Sequence, residues 1–256
     1  MTEIELPIKK IKAETQDPKR FVLAAKPKAG KTTAVANLPN CLLLDLEDGA
    51  RSIDALKVKI DSYEDLLEVC KSIYKSKHKY DYIAIDTATK LEEFCEWEAT
   101  ENYMNTTIGK KFNRDSHGNI LQRKDWASVL TLPQGGGYYY VRLAFRKWMD
   151  RFDKLCDKII YVSHIKDKFI NENGTEVNVN SLDLTGKLAG IVAASADAIG
   201  FLYVDRKTGE TMITFDSKYI EGGARQEHLK GKTFKFFETS EDGKLEKVNW
   251  DKIYLE

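Results

Sequence analysis

One stretch constrains this chain more than any other: FVLAAKPKAGKTTAVANLPNCLLLDLEDG, residues 21–49. It holds an apolar run, a tight loop ending in Gly30-Lys31-Thr32-Thr33, a brief helical start and a second apolar run that closes on acids. Strand, loop and helix with Gly-Lys-Thr at the helix start form the phosphate-loop pattern, Gly-x4-Gly-Lys-Ser/Thr. The geometry has a cause: backbone N–H groups of such a loop converge on an anion. The residues expected to cradle phosphate are Lys26, Pro27, Lys28, Ala29, Gly30, Lys31, Thr32 and Thr33. The Lys31 ammonium suits the terminal phosphates of a nucleoside triphosphate, and the Thr32 hydroxyl suits Mg²⁺. The pattern departs at its first glycine, which is Ala25 here.

Two acidic elements strengthen the reading. In YDYIAIDTATKLEEF (80–94) a buried strand ends in Asp86-Thr87. An aspartate there is expected beside the first strand, holding Mg²⁺. Asp45-Leu46-Glu47 closes the run 41–46 at the same carboxyl edge, where open α/β sheets bind ligands. Asp45 belongs to the strand pattern, so Glu47 is the candidate that orients and deprotonates a water.

Six apolar runs read as strands: 21–25, 41–46, 82–86, 158–164, 198–204 and 211–216. The first four are almost continuously apolar, as strands covered on both faces are. Helical spacing falls on 62–75, 88–103 and 140–156. Alternating strands and helices imply a parallel sheet with helices packed on it. The turn Asp205–Gly209 makes 198–216 an antiparallel hairpin, and TFKFFE with KLEKV (233–249) reads as another. The expected class is α/β, a mostly parallel core with antiparallel strands added at the C-terminal end. The expected division is an arm (1–20), a core (21–220) and a β-rich extension (221–256).

Bulk charge is neutral, with 40 basic and 40 acidic residues, so any polyanion must meet a local patch. No apolar run is long enough to span a bilayer, and the N-terminus lacks a signal peptide's apolar core. The four scattered cysteines fit reduced thiols in a cytoplasmic protein. The longest irregular stretch, 104–137, is a functional-loop candidate. It carries Lys110, Lys111, Arg114, Arg123 and Lys124, with Trp126 and the run GGGYYYVR (135–142), including Tyr138, close by. Basic groups beside aromatic rings suit sequence-tolerant binding of single-stranded DNA.

The order of phosphate loop, very short helix, strand ending Asp45-x-Glu47-x-Gly49-Ala50 and strand ending Asp86-Thr87 resembles RecA-type recombinase cores. It most closely resembles the phage-encoded nucleotide-binding proteins of that fold, some of which act as single-strand annealing proteins. The likeness covers about residues 20–220. It implies a RecA-like P-loop ATPase using ATP and Mg²⁺, with Glu47 activating water, Asp86 and Thr32 at the metal, and a γ-phosphate sensor on the fourth strand. Recombinases usually carry glutamine there; this chain has His164, which can also donate to phosphate. The resemblance places DNA contacts in loops after the third and fourth strands, the second holding Lys166 and Lys168. It further implies a ring or filament with ATP between subunits, where Lys218 or Arg225 reaches a neighbour's γ-phosphate, and it admits single-strand binding or replication proteins as partners.

Three other readings stay open. Lys26 resembles the early lysine of ParA-like partition ATPases, although Pro27 and Lys28 replace their glycines. A helicase loader would need a helical lid where this tail reads as strands. A nucleotide-switched annealing protein would bind ATP with negligible turnover.

Overall fold

The computed structural model describes residues 6, 8–12, 16–172, 175–218 and 222–255. Its elements run β1 (Arg20–Ala25), α1 (Lys31–Ala36), β2 (Cys41–Asp45), β3 (Lys57–Lys59), α2 (Tyr63–Lys75), β4 (Tyr82–Asp86), α3 (Ala88–Met104), α4 (Gly109–Phe112) and α5 (Gly137–Phe152). Then come β5 (Ile159–Glu172), β6 (Thr175–Leu182), α6 (Leu188–Ser195), β7 (Ala198–Val204), β8 (Thr211–Thr214), β9 (Thr233–Lys235), β10 (Phe237–Thr239) and β11 (Leu245–Val248). The main sheet has the order β3-β2-β4-β5-β1-β7-β8-β9. Pairing is parallel from β3 to β7 and antiparallel from β7 to β9, as the hairpin turn at 205–209 requires.

The apolar runs lie inside the sheet for the expected reason. Phe21 to Ala25 and Leu43, Leu44, Ile83, Ala84 and Ile85 have no exposed surface, so both faces are covered. Helices α2, α3, α5 and α6 cover one face around Trp148, Phe145 and Leu91. Among the described residues the other face has one helix, the six-residue α1, too short to shield a sheet of this width. The C-terminal segment completes that cover. Trp250, Ile253 and Tyr254 pack with Phe21 and Phe215, and the Trp250 indole donates to the Ala34 carbonyl at 2.8 Å. Trp250→Ala is therefore expected to cost about 3–5 kcal/mol of stability, read by denaturant unfolding. A loss under 1 kcal/mol, on the order of a surface change, would show that the segment merely rests on the core.

Four expectations change. The strand ending in Asp86 is not beside β1: β5 lies between β4 and β1. Lys166 and Lys168 are not in a loop, because β5 runs on past His164 and pairs antiparallel with β6 as a two-stranded ribbon. That ribbon carries only a short alternation, Val177-Asn178-Val179-Asn180, in a mostly polar segment, so its strand signal is weak. The run 233–249 is not one hairpin. Phe236 is fully buried and divides it, so β9 joins β8 while β10 pairs β11 in a separate antiparallel sheet. Helix α5 starts at Gly137 and ends at Phe152, not at 156.

Candidate functional site

The parallel core aligns the carboxyl ends of four strands. Ala25 is in register with His164, and Asp45 with Asp86, so β1, β4 and β2 bring their last side chains, and β5 its His164, to one edge. A cleft of about 320 Å³ opens there, lined by Lys28, Gly30, Lys31, Thr32, Glu47, Asp86, Thr87 and His164. Three sequence-expected residues outside the loop, Glu47, Asp86 and His164, thus share one cavity with it. Pro27 and Thr33 line it as well, while Ala29 and Lys26 face the other side of the loop.

The loop takes its shape from Gly30, the left-handed residue (φ 93°) ahead of α1. An added Cβ there would meet the Phe237 ring at 3.0 Å. No side chain caps α1, so its first-turn amides keep their capacity for an anion. Ala25, at the position of the missing first glycine, is the buried end of β1, so the departure falls in the sheet and leaves the turn intact.

Lys31 is only 6 % exposed. Its ammonium donates to the Lys26 carbonyl at 3.0 Å, the Ala25 carbonyl at 3.3 Å and His164 Nδ1 at 3.3 Å. An ammonium can only donate, so Nδ1 accepts. His164 Nε2, 3.3 Å from Glu47 Oε2, is then the donor to Glu47. The other Glu47 oxygen accepts from the Thr87 hydroxyl. Lys31, His164, Glu47 and Thr87 therefore form one chain of hydrogen bonds across the cleft. Burial holds the Lys31 pKa below the usual lysine range, against the pull of Asp86 and Glu47.

Asp45 and Glu47 have separate jobs. Asp45 is buried and accepts from the amides of Gly49 and Ala50 at 3.0 Å each, which fixes the turn after β2. Glu47 projects from that turn into the cleft.

Thr32 Oγ1 donates to Asp86 Oδ2 at 2.6 Å. A hydroxyl and a carboxylate oxygen side by side next to a phosphate cradle form a hard-oxygen donor set suited to Mg²⁺, which binds through few protein ligands. Among the described residues no cluster of three or more His, Cys, Asp or Glu forms a protein-only metal site. Burial first, then the nearby Glu47 and Asp45, raise the Asp86 pKa, while the Thr32 hydroxyl opposes. A raised folded pKa means that folding costs free energy whenever Asp86 is ionised. That cost is present above the raised pKa and absent below the ordinary value near 3.9. Asp86→Asn is therefore expected to stabilise the protein at neutral pH. The gain should vanish as the pH falls to about 4. A melting-temperature series against pH checks this; a destabilised variant at pH 7 would contradict it.

The other candidates disperse. Lys110 and Lys111 are exposed on α4, and Arg114 is exposed, bridging to the Gly118 carbonyl at 2.6 Å. Lys124 is exposed. Arg123 is not free for a polyanion: it pairs with Glu64 and Glu101 at 3.0 Å each and lies over the Trp97 ring. Trp126 packs on the core and donates to the Leu121 carbonyl, so it is no open stacking platform. Gly137 lies so close to the Val129 carbonyl that a Cβ would stand 1.8 Å from it, so the glycine run anchors the insertion to α5. Tyr138 is partly exposed beside Gly186, just past the ribbon. Lys166 donates to the Leu184 carbonyl at 2.6 Å and lies 3.5 Å from Asp183; Lys168 is exposed. Lys218 is exposed, whereas Arg225 is tied to Asp197 and the Ala194 carbonyl at the opposite edge of the sheet. Sequence reasoning gave Thr87 no role of its own. Its signal was there: a hydroxyl directly after the aspartate that ends a buried strand.

A parallel sheet with a phosphate loop after its central strand and acids at the ends of β4 and β2, on the same edge, defines a nucleotide-binding P-loop protein of the NTPase class. The chain belongs to the AAA domain family, whose model matches residues 17–225. A search of curated proteins finds no match. Among the described residues no helix is long and apolar enough to cross a membrane.

Proposed function

We propose that this protein is a Mg²⁺-dependent ATPase of RecA-like type that binds single-stranded DNA, in the cytoplasm of a phage host, for recombination, annealing or replication. The observation that carries the reading is the chain Lys31–His164–Glu47–Thr87 beside the Thr32–Asp86 pair in one cleft. A triphosphate laid along the loop amides gives Lys31 phosphate oxygens in place of two backbone carbonyls and an imidazole. His164, relieved of the ammonium, can turn to the γ-phosphate. Glu47, relieved of His164, can then orient a water in line and take its proton. Loop amides and Lys31 stabilise the charge that develops on the phosphoryl oxygens. Thr32 and Asp86 would hold Mg²⁺, which when bound neutralises charge on the β- and γ-phosphates.

The strand-binding part rests on the exposed cations Lys110, Lys111 and Arg114, with the exposed Phe112 ring between them in sequence. Lys124, Tyr138, Lys166 and Lys168 extend the candidate surface. Charge reversal at all three of Lys110, Lys111 and Arg114 is expected to weaken single-stranded DNA binding by at least about tenfold and to lower its salt dependence. Unchanged affinity would move the DNA site elsewhere. Oligomerisation as a ring or filament is part of the proposal, with Lys218 the better-exposed candidate for a residue acting across subunits and Arg225 the other.

A second reading has one observation in its favour. Both oxygens of Glu47 are engaged by Thr87 and His164, which suits a switch that binds ATP and turns it over negligibly. Robust Mg²⁺·ATP turnover by the intact chain would exclude it.

A further inference from the structure

The phosphate loop is a piece of backbone that needs holding. Lys28 (φ 63°), a residue with a Cβ, takes the left-handed conformation close to Gly30 (φ 93°). For Lys28 that conformation costs free energy and persists only where the surroundings impose it. The helix that follows gives little support, since six residues are too few for a helix to stand alone. Within the loop, the Lys31 ammonium ties down the Ala25 and Lys26 carbonyls. Those bonds are given up when the ammonium turns to phosphate. A hold that survives nucleotide binding must come from outside the loop.

The C-terminal segment supplies one. Phe237 opens β10, and the tip of its ring reaches the loop: Cε2 and Cζ stand 3.0 and 3.2 Å from where a Gly30 Cβ would be. The ring therefore lies against the bare Cα of the loop's glycine. It is itself fixed, partly buried on the core and stacked on the fully buried Phe236, with centroids 5.8 Å apart and planes 29° from parallel. Phe236 meets Trp250 edge-on at 5.1 Å, and Trp250 meets Phe21 edge-on at 6.0 Å. Phe21 belongs to β1, the strand that runs into the loop. A column of rings thus connects the loop back to its own strand. Trp250 adds a second hold by donating to the Ala34 carbonyl of α1. None of these contacts uses an amide or an ammonium that a phosphate needs.

We infer that Phe237 is a positioning residue for the nucleotide. Its ring braces Gly30, keeps the loop amides converging on the phosphates, and so sets the affinity for a triphosphate. The inference rests on the phosphate-loop reading above and deepens it. A ring that only covered the core would affect stability alone. A ring stacked on the base would affect ATP and spare a bare polyphosphate.

The test is titration of the full-length protein with a fluorescent non-hydrolysable ATP analogue, with competition by inorganic tripolyphosphate, both in Mg²⁺. Phe237→Ala is expected to weaken both ligands about tenfold, the loss that follows if the unbraced loop holds its binding shape roughly a tenth of the time. Phe237→Leu keeps most of the bulk and is expected to recover most of that affinity. Phe237→Tyr adds a hydroxyl on Cζ, beside Gly30, and is expected to weaken both ligands again. Leu245→Ala, on the paired strand β11 and packed on the same core, controls for lost stability and is expected to leave both affinities unchanged. Melting curves identify a variant that fails to fold, and the contrast of Phe237→Tyr with Phe237→Leu then carries the test. If the intact chain binds both ligands and Phe237→Ala and Phe237→Tyr bind them equally well, the brace is overturned and the phosphate-loop reading stands. Loss of ATP affinity with tripolyphosphate affinity kept puts the ring at the base and also overturns it. An equal loss in Leu245→Ala assigns the effect to general loosening and overturns it too. If the intact chain binds neither ligand, the phosphate-loop reading fails and the brace falls with it.

Discussion

Replacing Lys31 with alanine is expected to weaken ATP binding by about 2–5 kcal/mol, roughly 30- to several-thousand-fold. The reason lies in where the ammonium sits. It is almost wholly buried, and its oxygen partners are two neutral carbonyls. Its desolvation has been met before nucleotide arrives, as its lowered pKa records. Exchanging carbonyls for phosphate oxygens then adds charge-assisted bonds at little further cost. Alanine loses those bonds and leaves phosphate charge facing a gap. Titration with a fluorescent ATP analogue gives the change directly. An affinity within twofold of the parent, with the fold intact, would contradict the phosphate-loop reading of residues 26–33.

Replacing Glu47 with glutamine is expected to do the opposite to binding and chemistry. Turnover should fall by about 10²–10⁴-fold, the range of a lost general base. Nucleotide affinity should hold, because Glu47 touches Thr87 and His164 and is no part of the loop. The glutamine carbonyl can still accept from one of these partners, so the cleft keeps its shape. Asp45 cannot take over, since its carboxylate is committed to the amides of Gly49 and Ala50. Rapid-quench hydrolysis beside a binding titration separates the two effects. A variant that hydrolyses at the parent rate would remove Glu47 from the mechanism.

Much of this site was legible because its signals are local. Gly30-Lys31-Thr32 fixes a strand–loop–helix, and an acid closing a continuous apolar run fixes a carboxylate at the sheet edge. The choice of Glu47 over Asp45 followed from Asp45 lying within the strand pattern, and the bonds of Asp45 to the Gly49 and Ala50 amides supply its physical reason. What was not legible depends on pairings distant in sequence. That β5 slots between β1 and β4 is a matter of strand order, which single strands do not encode. The ribbon escaped because its alternation, Val177-Asn178-Val179-Asn180, is short and sits in a mostly polar segment. Arg123 looked like a free cation because Glu64 and Glu101, which neutralise it, lie 59 and 22 residues away. Trp250 fell in the expected β-rich extension with no role of its own; that role follows from the shortness of α1, which leaves a sheet face that something else must cover.

The measurement that tests the central claim most directly is steady-state ATP hydrolysis by the intact protein with Mg²⁺, with and without single-stranded DNA. The account predicts turnover that requires Mg²⁺ and rises when the strand is added. No hydrolysis under either condition, from a folded chain, would contradict it.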